Sequence, residues 1–229
     1  MASHPQMSWL PRYLRSSIGA KQAMAVTGLV LVLFALQHMV GHLQMFGGRD
    51  LYNAYAHFLQ ELWEVKWPVR AILLACLIVH ALAGIVVSAK NRAARPTRYA
   101  IFRPVVTSAA ARTMIWTGAV VFAFLAFHIL QFTVGAVEAR HFHVLDWQHR
   151  WDAYGMYVAA FQRVPIYLVY LAGMALLCVH LGHGAASWLQ TLGWRHPKYP
   201  LDKLGRIVGW LLFVGYMLPP TAVLCGVIS

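Results

Sequence analysis

Apolar residues in this chain do not alternate with polar ones; they come in long unbroken runs. Five runs, near residues 22–46, 68–89, 112–136, 164–190 and 205–228, are each long enough to cross about 30 Å of hydrocarbon at about 1.5 Å per residue. The pattern predicts an all-α integral membrane bundle of five transmembrane helices, one domain over 1–229. Pro165 falls at the start of the fourth run, where proline is tolerated. Pro219-Pro220 lies deep in the fifth and predicts a kink or break there. The connection over 137–163 is long and aromatic, and predicts a short interfacial helix.

Composition agrees with the runs. The residues are 60% apolar and 11% charged, against about 25% charged in a soluble domain. Trp63, Trp67, Trp147, Trp151, Trp188, Trp194 and Trp210 flank the runs as interfacial anchors do. Cys76, Cys178 and Cys225 all fall inside apolar runs, so no disulfide framework is expected. No C-x-x-C-H occurs, which excludes the usual covalent attachment of a c-type haem. The stretch before Gln22 is polar and basic and does not read as a cleaved signal; the first span is expected to direct insertion itself.

A net charge of +12 would first suggest nucleic acid, but its placement argues for topology instead. Arg12, Arg15, Lys21, Lys90, Arg92, Arg95, Arg98, Arg103, Arg112, Arg195, Lys198, Lys203 and Arg206 all lie on one side. Arg49, Lys66, Arg70, Arg140, Arg150 and Arg163 lie on the other, with every acid except Asp202. The basic side is therefore expected in the cytosol, with the N-terminus inside and the C-terminus outside. Its loops, carrying Arg92, Arg95, Arg98, Arg103, Lys198 and Lys203, are expected to face a docking partner or lipid head groups.

Six of the twelve histidines fall within the spans: His38, His42, His80, His128, His180 and His183. His4, His57, His141, His143, His149 and His196 are expected in loops. Ionisable groups at membrane depth are costly, so function is the first reading for the six. His38 follows Lys21 by 17 residues and His128 follows Arg112 by 16, which places both roughly 25 Å in, toward the outer face. His80 precedes Lys90 by 10 residues, and His180 lies similarly far from its helix end, roughly 15 Å from the cytosolic face. Four histidines on four helices thus sort into two coplanar pairs.

Local patterns repeat with the pairs. Thr27-Gly28 precedes His38 as Thr117-Gly118 precedes His128, and Gly84 follows His80 as Gly184 follows His180. A glycine near a histidine clears space for a flat macrocycle; it also serves close helix packing, and both readings stand. Paired neutral imidazoles facing one another in a bundle are the ligand set of a low-spin b haem that carries electrons. His42 and His183, one turn from their neighbours, are candidates for a haem propionate or a supporting hydrogen bond. The chain holds no GxGxxG and no cysteine cluster, so flavin, nucleotide and iron–sulfur chemistry would belong to partners.

SIGAK at 17–21, TGLVLVLFALQHMVGH at 27–42, YNAYAHFLQ at 52–60, LIVHALAG at 77–84, FLAFHILQ at 124–131 and VHLGHGAASWL at 179–189 together resemble one family. It is the cytochrome b membrane anchor of succinate dehydrogenases and fumarate reductases, in the form with one five-helix polypeptide and two haems. The resemblance covers nearly the whole chain. It implies two haem b groups, with His38 and His128 on the iron of the outer one and His80 and His180 on that of the inner one. It implies a cytosolic flavoprotein subunit with FAD, an iron–sulfur subunit, and a quinone of the menaquinone type. The setting would be the lipid of the cytoplasmic membrane, in respiratory complex II of the tricarboxylic acid cycle. A higher oligomer of that complex stays open.

A quinone near the outer haem would make use of both carriers, and Asp50, Glu61 and Glu64 are acids of the outer connection. In some members a glutamate there handles quinone protons, so Glu61 and Glu64 are the candidates. In some, a glutamate two residues before the fourth ligand moves protons across the membrane; here that position is Cys178, which speaks against such a path. Two other classes fit the histidines. One is the cytochrome b anchor of a quinone-linked hydrogenase or formate dehydrogenase. The other is a transporter or proton channel without haem, which an absorption spectrum would separate.

Overall fold

A computed structural model describes residues 9–14, 16–94, 97, 109–137, 139–194, 198 and 201–229. The elements are helical: α1 (Trp9–Leu14), α2 (Ser17–Leu43), α3 (Arg49–Glu61), α4 (Trp63–Ala93), α5 (Ala109–Ile129), α6 (Ala153–Phe161), α7 (Val164–Thr191) and α8 (Leu201–Leu224). Five stretches, built on α2, α4, α5, α7 and α8, are long and apolar enough to cross a membrane. The chain is thus an all-helical, multi-pass membrane protein. Arg15, Arg95, Arg98, Arg103, Arg195, His4 and His196 lie outside the described residues.

Local chemistry accounts for the helix ends. The Ser16 hydroxyl accepts from Gly19 N–H at 2.9 Å and starts α2, five residues before the expected boundary. α2 tightens into a 3-10 turn at Gln44–Gly47 and stops at Gly48, whose φ of +88° suits glycine. Asp50, in the first turn of α3, sits where the helix dipole favours a carboxylate. α5 relaxes into a π-turn at Leu130–Val134 and ends at Gly135, φ +73°. The Asp152 carboxylate caps α6 by accepting from Gly155 N–H at 3.0 Å.

Three expectations change. α8 runs through Pro219 and Pro220 without a break. Both prolines are buried near its C-terminal end, and each lacks the N–H that would bond the carbonyl four residues back. The connection between α2 and α4 holds a 13-residue helix, α3, so His57 sits exposed on a helix and not in a loop. The expected interfacial helix exists as α6, but it is no surface element: Tyr154, Tyr157, Val158, Ala160 and Phe161 are buried.

Packing pairs the spans. α2 lies along α4 and α5 along α7, while α8 packs chiefly on α7 and also on α2. The α7–α8 seam is made of small residues: a Cβ on Gly205 would fall 2.2 Å from the Gly182 carbonyl oxygen, and one on Gly209 2.6 Å from that of Cys178. The main core lies at the end of the bundle that carries α3 and α6, where Met45, Tyr52, Tyr154, Tyr157, Phe161, Tyr170 and their neighbours close over the spans. A second cluster, Met39, Leu181 and Leu212, joins α2, α7 and α8.

An ion network ties the α2–α4 and α5–α7 connections together. Asn53 is fully buried; its amide donates to Asp146 at 3.1 Å and to Asp152 at 2.9 Å, and its carbonyl accepts from Tyr154 N–H at 2.9 Å. Arg150 donates to Asp146 at 2.9 Å and to Asp50 at 2.7 Å. Burial alone would raise the Asp146 carboxyl; hydrogen bonds from Arg150, Asn53 and Gln148 outweigh it and hold the group below the usual carboxylate range. α3, the 144–152 loop and α6 therefore form one cap.

Candidate functional site

The four helices α2, α4, α5 and α7 each bring one histidine inward. His38 and His128 meet with ring centroids 6.0 Å apart and planes at 78°. His80 and His180 meet at 6.3 Å and 63°. An imidazole nitrogen binds a transition metal at about 2 Å and its ring centre lies about 1 Å behind, so two rings facing one metal sit about 6 Å apart. Both pairs have that spacing. The backbones of α2 and α5, and of α4 and α7, make little direct contact with one another among the described residues. Each pair thus joins two helices whose backbones are not packed directly on one another.

Hydrogen bonds decide which ring nitrogen faces inward. The Thr27 hydroxyl donates to the Ala23 carbonyl at 2.7 Å, so it accepts from His80 Nδ1–H, 3.4 Å away; the Met24 carbonyl also accepts there at 3.0 Å. Thr117 donates to the Met114 carbonyl and stands 3.3 Å from His180 Nδ1. Tyr170 donates to Gln131 at 2.9 Å and so accepts from His128 Nδ1–H, at 3.1 Å. At His80 the carbonyl can only accept, so Nδ1 holds the proton and Nε2 keeps its lone pair, as a metal-bound imidazole requires; the Thr117 and Tyr170 hydroxyls stand where they can accept from the same tautomer of His180 and His128.

The His80–His180 pair has room beside it. A Cβ on Gly184 would meet nothing within 4 Å, and one on Gly84 only the Met24 sulfur at 3.8 Å. Beside these two glycines the His80–His180 pair has the clearance that a flat macrocycle would need. At the His38–His128 pair a third imidazole intervenes. His42 Nε2 lies 3.2 Å from His38 Nε2, and its Nδ1 is 2.9 Å from the Tyr52 hydroxyl. A macrocycle bound through His38 needs His42 to turn aside. Tyr157 and Tyr216 also face His42, with ring centroids at 5.4 and 6.3 Å. Burial pushes the Tyr52 and Tyr157 hydroxyls above the ordinary tyrosine range, so both stay protonated. Among the described residues, no group of three or more His, Cys, Asp and Glu could hold a metal ion. A haem iron needs only two protein ligands, since the porphyrin supplies the rest.

The remaining candidates are placed as follows. His183 is half-buried, one turn beyond His180 on α7. Glu61 ends α3 and Glu64 opens α4; both are exposed, and neither hydrogen-bonds to the histidines among the described residues. Asp50 is taken up by Arg150. Cys178 packs against Gly209 on α8, so that position belongs to a helix seam. Arg92, Lys198 and Lys203 are exposed. The supporting residues Tyr170, Gln131 and Asn53 were not singled out by hydropathy or charge. A polar side chain in an apolar run, as Gln131 is, was the one signal that could have found any of them. No family model, no curated protein and no solved structure matches the chain.

Proposed function

We propose that this chain is the dihaem cytochrome b anchor of a succinate:quinone oxidoreductase. The observation that carries the reading is the pair of histidine pairs. Four imidazoles from four spans meet two by two, 6.0 and 6.3 Å apart. His38 and His128 would hold one haem b, and His80 and His180 the other. When bound, such haems supply one-electron carriers at two depths.

The chain's own residues supply position and exclusion. Thr27, Thr117 and Tyr170 orient three of the ligand rings. The aromatic core under the outer cap keeps water from the outer pair. The proposed orientation puts the inner pair on the cytosolic side, where FAD and iron–sulfur subunits would dock on the basic loops. Quinone, of the menaquinone type, would react on the outer side, with Glu61 and Glu64 as proton-exchanging candidates. The succinate assignment rests on the motif resemblance; the histidine geometry serves equally the anchor of a hydrogenase or formate dehydrogenase.

The test is purification of the chain from membranes with its companions. The expected result is a reduced b-type spectrum, two haems per chain and succinate-linked reduction of quinone. Two haems with hydrogenase or formate dehydrogenase subunits would move the protein to the alternative. Absence of any b-type absorption would remove the haem reading and leave a haem-free use of the histidines.

A further inference from the structure

The repeated Thr-Gly motif does not serve the histidine that follows it in sequence. Thr27-Gly28 and His38 on α2 recur ninety positions later as Thr117-Gly118 and His128 on α5. Their spacing suggested a single outer-level pattern. In space the motif splits between two levels. The histidines ten residues on face each other at the outer level. Thr27 and Gly28 instead lie against His80 of α4, and Thr117 and Gly118 against His180 of α7.

The two contacts match in detail. Thr27 Oγ1 is 3.4 Å from His80 Nδ1, and Thr117 Oγ1 is 3.3 Å from His180 Nδ1. A Cβ on Gly28 would come 3.0 Å from His80 Cε1, and one on Gly118 3.3 Å from His180 Cε1. Either methyl would press on the ring, so glycine lets the imidazole lie against the neighbouring helix while threonine holds its Nδ1–H. Helices α2–α4 and α5–α7 thus form two equivalent halves.

We propose that Thr27 and Thr117 are positioning residues of the inner haem centre, each fixing the tautomer and rotation of the axial histidine on the other helix of its half. The proposal rests on the haem reading. Each hydroxyl already donates to a backbone carbonyl, so its oxygen is left as an acceptor for the ring. An acceptor on Nδ1–H makes the imidazole a stronger donor to a metal and favours the ferric state. The halves are not equal in strength. His80 Nδ1 has the Met24 carbonyl as a second acceptor at 3.0 Å, whereas among the described residues His180 Nδ1 has Thr117. Thr117 therefore carries more of the effect.

The experiment uses the full haem-loaded chain with its natural companions, carrying Thr27→Val, Thr117→Val or the serine counterparts. Redox titration and low-temperature EPR are read for each haem separately. The inner haem's midpoint should rise and its low-spin signal shift, more in Thr117→Val than in Thr27→Val. The outer haem should stay put, and serine should restore both readings. Loss of the inner haem alone in Thr117→Val, with retention in Thr117→Ser, supports the same role. An unmoved inner potential and EPR signal in both valine variants overturns the proposal, as does equal damage to both haems. Wild-type protein without b-type haem overturns the haem reading instead, and this proposal with it.

Discussion

Asn53→Ala should open the outer cap while leaving the spans folded. The side chain is fully buried and makes three hydrogen bonds: two donations to the Asp146 and Asp152 carboxylates, and one acceptance from Tyr154 N–H. A bond to a charged group is worth about 1.5–3 kcal/mol and a neutral one about 1 kcal/mol; with partial re-solvation of the stranded carboxylates the loss is about 3–4 kcal/mol. At about 1.4 kcal/mol per decade, the open population rises roughly 100–1000-fold. Among the described residues no other side chain bridges α3 to both acids, so the loss is concentrated where α3 meets the 144–152 loop and α6. The assay is limited trypsin digestion of the protein in bilayers, read at Arg140 and Arg163, two exposed basic residues flanking the cap. Cleavage there should accelerate in step with opening, with helix content by circular dichroism unchanged. Asn53→Asp, nearly isosteric, sets a third carboxylate between two others and should cleave at least as fast. Cleavage within about threefold of wild type in both variants would show that the network is decoration and not the clasp.

Replacing any one of His38, His80, His128 or His180 should remove one haem or turn it high-spin, lowering haem content by about half; identical losses from the His38 and His180 variants would undo the two-level assignment. Glu61→Gln and Glu64→Gln should lower quinone-linked turnover while both haems and dye-linked succinate oxidation persist, and full quinone activity in both would take these exposed acids out of the mechanism. Acid should loosen the cap. The Asp146 carboxyl is held below its unfolded value of about 3.9, so its contribution is fully present above that pH and is lost as pH falls toward the folded value. Protease resistance of the cap should be flat from neutral pH to about 5 and decline below about 4; a decline beginning near pH 6.5 would implicate a histidine instead.

The spans were legible because hydrocarbon imposes a length and a composition that nothing else requires. The pairing of His38 with His128 and His80 with His180 as neighbours was legible from depth alone, since residues entering from one side at equal count reach equal depth. What lay hidden is what depends on partners far apart in sequence. Thr27 read as belonging to His38, on its own helix, because spacing along one helix cannot say which neighbour fills the groove. α3 was missed because its face is covered by the cap rather than by lipid, and its sequence is neither long nor apolar enough to stand out. His42 could be placed beside His38, but not its hydrogen bond to Tyr52, which comes from the connection beyond.

The two levels differ in what holds them, and that difference has a consequence. At the inner level both rings are tied to hydroxyls on span helices, which open only when the bundle does. At the outer level His128 is likewise tied to Tyr170 of α7, but the space between His38 and His128 is shared with His42, which is hydrogen-bonded to Tyr52 in α3, a part of the cap. Tyr52 packs against Tyr154 and Tyr157 of α6, so the cap's ion network and the outer imidazoles are mechanically one unit. Weakening that network must therefore reach the outer pair before the inner one. Asn53→Ala should broaden or lose the outer haem signal at a temperature where the inner signal is intact. Simultaneous loss of both haems on warming would mean that the cap and the bundle melt together, and that the outer level draws its stability from the spans alone.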